Sequence, residues 1–296
     1  MKRESIMDFR ETGRILVRDA GFIYLLPHPA LQKWIANYTI TFPHKGMMSD
    51  QYAVIPHGCA TLVFACDDRG TIAQLFGPMK KPARVGREAN AYGLLFIVEF
   101  QPAGYYAFSG MLQKELTDWV LPLGDANPAL DRLIARHLET AVSVEGFIAE
   151  VDRLFLAHLK TAFYQQEFSL ANQMIVDSGG RLSVKEISQT VFYSERHLGR
   201  IFDRYMGVNV KAFSRLVRVN KALRLLRRPG NSIMQVCLQT GYYDMPHFIH
   251  DFKAICGITP QEYRAHMSDF YSEIAKFKAT MEKNETGVRI CNTREH

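Results

Sequence analysis

The chain lacks any hydrophobic run long enough to cross a bilayer. Its most apolar stretch, Leu94-Leu95-Phe96-Ile97-Val98, falls far short of the roughly 20 residues that a transmembrane helix needs. The opening residues Met1-Lys2-Arg3-Glu4-Ser5-Ile6-Met7-Asp8-Phe9-Arg10 hold no apolar core of the kind a secretory signal requires. Both absences point to a soluble, cytoplasmic protein with no membrane partner. Cysteine is scarce: Cys59, Cys66, Cys237, Cys256 and Cys291 form an odd, irregular set without metal-like pairing. That argues against a disulfide framework and for ordinary buried thiols. His28, His44 and His57 show no H-x-H spacing and no evident carboxylate partner. They read as loop histidines, and neither a metal nor another cofactor is expected.

What the chain does have is enough apolar material for two domains, with 47% hydrophobic and 22% charged residues in 296. Its net charge of +6 is unevenly placed. Residues 1–180 hold 17 Lys and Arg against 19 Asp and Glu, residues 181–230 hold 12 against 3, residues 231–267 hold 2 against 3, and residues 268–296 hold 5 against 5. The whole basic excess thus sits in one stretch of fifty residues, the footprint expected of a phosphate-contacting surface. A solvated helical face gives the same charge run, so the motifs inside the stretch decide between the two.

The first half carries strand and turn signals. Short apolar or β-branched runs at residues 21–26, 38–42, 51–55, 60–65, 71–76 and 92–100 alternate with turns such as Pro56-His57-Gly58, Asp67-Asp68-Arg69-Gly70 and Gln101-Pro102-Ala103-Gly104. This spacing predicts a small β-barrel or sandwich, with a short helix at residues 31–37. From Asn127-Pro128 the pattern turns helical. Leu130, Leu133, Ile134, His137 and Leu138 mark one helix, and Phe147, Val151, Leu154, Phe155 and Leu159 a second. Those helices cover the β-domain, link the domains or pair two chains. Ser178-Gly179-Gly180 reads as the entry to the last domain. The expected organisation is 1–125, 126–180 as a helical linker or dimerisation region, 181–267, and a C-terminal extension 268–296 with a helical stretch at 270–281.

Two segments near 183–207 and 232–257 share a layout. In the first, Ser183 caps a helix and Glu186 completes a capping box. Val184, Ile187 and Ser188 share one face, and the small Ser188 lets two helices approach. Ser194 caps a second helix whose buried stripe is Leu198, Ile201 and Phe202, leaving Arg196, Gly199, Arg200, Asp203 and Arg204 on the other side. In the second segment Ser232 and Asp244 are the caps, Cys237 takes the small position, Gly241 sits in the turn, and Phe248 and Phe252 are buried. Met245, Ile249, His250 and Lys253 are left on the outer side, and Pro246 lies in the first turn. Between the segments, Val210 to Arg228 reads as one long helix with Arg215, Arg218, Lys221 and Arg224 as a basic side, stopped by Pro229-Gly230. Paired helices with such an outer face are helix-turn-helix units, whose second helix lies in the major groove of DNA. Arginine there makes bidentate contacts to guanine.

Residues 180–266 resemble the DNA-binding domain of the AraC/XylS family of bacterial regulators. The resemblance is carried by Ser194 to Phe202 with Gly207; Arg218 with Ala222 and Leu225-Leu226; Gly241-Tyr242; Phe248 with Phe252-Lys253; and Gly257-Ile258-Thr259-Pro260 with Tyr263-Arg264. It implies about seven helices, with both recognition helices in adjacent major grooves of double-stranded promoter DNA. By position, the DNA-contacting residues are then Arg196, Gly199, Arg200 and Arg204 in the first unit and Met245, Ile249, His250 and Lys253 in the second. Three departures matter. Gly199 supplies no side chain where the family often reads a base, His250 replaces a usual arginine, and Pro246 replaces a common serine. With the negative balance of residues 231–267, they predict that the first unit dominates phosphate affinity.

The runs Ile55-Pro56-His57-Gly58-Cys59-Ala60-Thr61-Leu62-Val63-Phe64 and Phe100-Gln101-Pro102-Ala103-Gly104 resemble turn motifs of the cupin-like sensory domains that precede this module. The resemblance implies effector binding, dimerisation or both. The aromatics Tyr24, Trp34, Tyr38, Phe64 and Phe96 are candidate lining for an effector pocket, or simply core. The fold class expected is α+β: an N-terminal cupin-like β-barrel with flanking helices, then an all-α double helix-turn-helix domain. Expected partners are promoter DNA, a second copy of the chain, a small-molecule effector and RNA polymerase. Two other classes compete. A fused DNA-repair alkyltransferase needs a reactive cysteine at Cys59 or Cys66, and neither has a neighbouring cysteine or a compelling general-base motif. A constitutive assembly protein needs only the dimerisation role.

Overall fold

The computed structural model describes residues 1–43, 48–160 and 166–267. His44, Cys291 and the expected helix at 270–281 lie outside the described residues. The N-terminal part is built on nine strands, β1 (Ile15–Arg18), β2 (Phe22–Leu25), β3 (Ile35–Thr41), β4 (Ala53–Val54), β5 (Thr61–Asp67), β6 (Gly70–Phe76), β7 (Ala83–Arg84), β8 (Leu94–Phe100) and β9 (Val120–Pro122). Seven form one antiparallel sheet in the order β1-β2-β3-β8-β5-β6-β9, and β4 pairs with β7 separately. The β5–β6 hairpin turns where the Asp67 carboxylate accepts from Arg69 N–H, an Asx turn that leaves Asp67 opposite Gly70.

The structure is thus α+β, and among the described residues the ladder runs from β1 to β9. The predicted helix at 31–37 is corrected. A single 3-10 turn at Pro29–Leu31 and a turn at residues 32–34 precede β3, because β3 lies inside the sheet and its pairing with β2 and β8 outweighs local helical spacing.

Short helices α1 (Gly86–Ala89), α2 (Tyr106–Ser109), α3 (Gln113–Leu116) and α4 (Leu123–Ala126) fill the connections. Two longer ones, α5 (Pro128–Thr140) and α6 (Val144–His158), bury the periodic stripes read from the sequence, Leu130, Ile134 and Leu138 in one and Phe147, Val151, Leu154 and Phe155 in the other. Both pack on the sheet: the ring of Phe147 lies edge-on to Phe96 at 4.8 Å, and Phe155 stacks on Tyr38 at 6.3 Å. Of the three roles left open for them, covering the sheet is the one observed. The buried Asp152 of α6 ties this unit together. Its carboxylate takes the Arg14 guanidinium at 2.7 Å, the His28 backbone N–H at 3.0 Å and the Tyr38 hydroxyl at 3.1 Å. Burial first, and then this carboxylate, raise the Tyr38 phenol far above its ordinary pKa, so it acts as a neutral donor.

Among its described residues the C-terminal part holds seven further helices: α7 (Gln166–Asp177), α8 (Val184–Thr190), α9 (Glu195–Met206), α10 (Val210–Arg227), α11 (Ile233–Gln239), α12 (Met245–Cys256) and α13 (Pro260–Ala265). Two apolar cores share α10. Val210, Phe213 and Val217 pack with α7, α8 and α9, whereas Leu216, Val219, Leu223 and Leu226 pack with α11, α12 and α13. Phe168, Ala171 and Ile175 of α7 belong to the first core, so the helical unit reaches back across the Ser178-Gly179-Gly180 turn that the sequence offered as its entry.

The sheet unit touches both cores through its turn motifs. Ile55 packs into the second core, Cys59 and Ala103 into the first. The buried Asn220 side chain of α10 donates to the Pro56 carbonyl at 3.1 Å. Beside α9, Thr117 donates to the Gly207 carbonyl at 3.2 Å, Lys114 pairs with Asp203 at 2.9 Å, and Tyr106 meets Tyr205 edge-on at 4.9 Å.

Candidate nucleic-acid interface

Each helix-turn-helix unit is set by its caps. Ser183 with Glu186, and Ser232 with Gln235, form complete capping boxes at the starts of α8 and α11. The side chains of Ser194 and Asp244 accept from the third residue of α9 and α12. Gly207 and Gly257 end those helices in the left-handed conformation. Leu198, Ile201 and Phe202 face the first core, and Phe248 and Phe252 the second. What remains outward on α9 is Arg196, Arg200 and Arg204, all exposed, with Gly199 between them. The Arg200 guanidinium lies 3.4 Å from His197 Nδ1, and Arg204 lies over the Tyr205 ring.

On α12 the outward set is weaker. His250 and Lys253 are exposed, but Ile249 is half-buried and Met245 packs partly against the second core. His250 Nδ1 lies 3.6 Å from Asp251, a buried carboxylate that also takes Arg215 at 2.7 Å and the Tyr242 hydroxyl at 3.4 Å. Burial, followed by the Asp251 charge, raises the Tyr242 phenol well above its ordinary pKa, which keeps it a donor here.

Two arginines of the basic side of α10, Arg215 and Arg218, have partners inside the domain, as does Arg227 at its end. Arg215 is paired with Asp251, while Arg218 donates to the Gly180 carbonyl at 2.6 Å and lies over the Tyr242 ring at 4.9 Å. Arg227 reaches the Tyr263 hydroxyl at 2.7 Å and the Met267 carbonyl at 3.1 Å. These guanidinium groups hold the two units on the rod, because a rigid planar fork satisfies carbonyls and a carboxylate together.

Sequence reasoning missed two exposed aromatics in the turns. Phe192 is 94% exposed and Tyr243 is 95% exposed. Phe192 also has φ of 55°, a conformation no aromatic residue advertises. Of the five pocket candidates, Tyr38, Phe64 and Phe96 come together with no solvent exposure inside the core shared with α6, whereas Tyr24 and Trp34 are half-buried. His28 Nδ1 caps a 3-10 turn by accepting from Ala30, and His57 is buried. Cys59 is buried, with its thiol donating to the His57 carbonyl at 3.3 Å, and Cys66 is half-buried.

A family model described as "Helix-turn-helix domain" matches residues 187–266. Another, described as "Domain of unknown function (DUF6597)", matches residues 24–122. The HTH-type transcriptional regulator ArgR of Pseudomonas aeruginosa is 35% identical over 83 residues, which are 28% of this chain and 25% of that protein. A crystal structure of a transcriptional regulator from Chromobacterium violaceum, described by its AraC-type DNA-binding domain, is 31% identical over 34% of this chain and 91% of its own, with a TM-score of 0.32. ToxT from Vibrio cholerae covers 77% of this chain and 98% of its own at 10% identity and a TM-score of 0.42. The chain thus spans a quarter of the length of the first of these relatives, which is named as a regulator and not as an enzyme. Two capped helix pairs on one stiff helix define a DNA-binding domain of the double helix-turn-helix class. Within that class, the C-terminal region is an AraC-type helix-turn-helix domain.

Proposed function

We propose that the whole chain is a transcription regulator that binds promoter DNA sequence-specifically, with Arg196, Gly199, Arg200 and Arg204 reading one major groove and Met245, Ile249, His250 and Lys253 the next. The observation that carries this reading is the division of the arginines. Arg215, Arg218 and Arg227 of α10 are engaged inside the domain, while Arg196, Arg200 and Arg204 of α9 stand exposed on one outer face. The first unit supplies most of the affinity. An Arg200→Ala chain loses about 1–3 kcal/mol of specific binding, the worth of one bidentate base contact, and a His250→Ala chain loses less. Fluorescence anisotropy on duplexes selected by the wild-type chain, repeated across a salt series, measures both. Equal losses would end the asymmetry, and a salt-independent affinity would end the DNA reading.

The sheet unit modulates this binding, through a small-molecule effector or by pairing two copies of the chain. Support comes from its grip on the rod, where the Pro56 carbonyl holds Asn220 and Gly58 lies against Leu216. Because Tyr38, Phe64 and Phe96 are packed as core, an effector that reaches them has to open that core. Melting the protein with candidate small molecules tests sensing, since a true effector raises the midpoint. Sedimentation with and without DNA tests pairing. Contact with RNA polymerase follows only from the family resemblance, and in-vitro transcription tests it.

A further inference from the structure

Gly199 is a glycine that the fold does not ask for. Its backbone is not left-handed, and a Cβ built on it meets nothing within 4 Å beyond its chain neighbours and the backbone of its own helix. By contrast, a Cβ at Gly180 would lie 2.1 Å from the Ser214 carbonyl oxygen, and one at Gly207 would lie 2.2 Å from Thr117 Oγ1. Within a helix, glycine is disfavoured relative to alanine because its unfolded chain has more conformations to lose. Inside the protein, then, this residue brings a cost and no return. It lies in the middle of α9, between the exposed Arg196 and Arg200, on the face that the proposed function turns toward DNA.

We infer that Gly199 is a specificity-determining residue whose missing side chain leaves a recess for the C5-methyl of a thymine in the major groove. The inference rests on the DNA-binding reading and deepens it. The recess is floored by bare helix backbone and lies on the helix between Arg196 and Arg200, whose guanidinium groups seek the acceptors of guanine. It offers a base no side-chain donor or acceptor of its own. Among the features of the major-groove edges, only the thymine methyl is apolar and wants space instead of a partner. The backbone of α9 approaches that base pair closely, as glycine permits. In the second unit the matching place is taken by Ile249, so the recess belongs to the first unit alone.

The test uses the full-length chain and a duplex it selects from a random-sequence library. Each thymine in the half-site protected by the first unit is replaced in turn by deoxyuridine, which removes only the methyl. For the wild type, one replacement weakens binding several-fold. The Gly199→Ala chain melts about 2–4 °C higher, as a helix-stabilising change of this size should. It binds the thymine duplex about tenfold more weakly, the scale of one mismatched base pair, and is indifferent to that deoxyuridine. If Gly199→Ala binds the thymine duplex as well as the wild type does, or if no single deoxyuridine matters, the inference is overturned. Arg200→Ala keeps the two failures apart. If it too binds like wild type, or if the library yields no preferred sequence, the DNA reading itself has failed.

Discussion

Position by position, the second helix-turn-helix unit repeats the first. Ser183 and Ser232 open the first helices, Ser188 and Cys237 let the helices close, and Gly207 and Gly257 end the second helices. Against that common frame, three places differ in kind. Where the first unit buries Ile201, the second buries Asp251 paired with Arg215. Where the second turns on Gly241 at φ 76°, the first turns on Phe192 at φ 55°. Where the second exposes His250, the first exposes Arg200. The frame needs only caps, small residues and an apolar stripe. Within it the first unit has put its charge on the outside and the second has put one of its charges within.

The buried ion pair is the largest lever on this contrast. Asp251→Ala leaves Arg215 without its carboxylate and should destabilise the chain by about 3 kcal/mol, near the low end for a broken buried pair because Arg215 keeps some solvent. Replacing both partners by apolar residues, Asp251→Ile with Arg215→Met, should recover most of that loss and make the second unit more like the first. Chemical denaturation of Asp251→Ile, Arg215→Met and the double variant measures the coupling. Additive losses would show that the pair is not a unit.

The turns give a smaller effect of opposite sign in the two units. A left-handed backbone costs a residue with a Cβ roughly 1–2 kcal/mol, part of which glycine forfeits in the unfolded state. Phe192→Gly should therefore stabilise the chain by about 0.5–1 kcal/mol. Gly241→Ala should destabilise it by at least about 1 kcal/mol, since its Cβ also meets Arg181 Cδ at 2.7 Å. Thermal melting of both checks the prediction, and matching signs would defeat it. Smallest is Lys114→Ala, which removes the exposed pair with Asp203 on α9 and should cost less than about 1 kcal/mol in the same melts.

Much of this frame can be read directly from the residues, because caps, small residues and helical stripes are local. Ser183 with Glu186, Ser194, Ser232 and Asp244 each announce a helix start within four residues, and the stripes of α5, α6 and α9 follow from spacing alone. The order β3-β8-β5 does not follow in that way, because it joins strands far apart in the chain and no local pattern encodes the pairing. The partners of the α10 arginines were not legible for a similar reason. Arginines at helical spacing look alike whether they meet phosphate or, like Arg218, a carbonyl 38 residues away. The proposed reading face was legible by position, but its unevenness was only partly so. Nothing in the sequence marks Met245 as partly turned inward, or Phe192 as turned outward.

One helix, α10, belongs to both apolar cores and meets the sheet unit at its midpoint through Asn220. Its 18 residues make a span of ~27 Å, and this single element acts as the ruler between the two heads. A ruler made of helix cannot be lengthened smoothly. Each added residue would advance the second head by ~1.5 Å and swing it by ~100° about the axis, away from the groove it faces. On the proposed DNA-binding reading, the reach of the protein along a duplex is therefore quantised, and new spacings between half-sites would have to come from bending the DNA instead of stretching the protein.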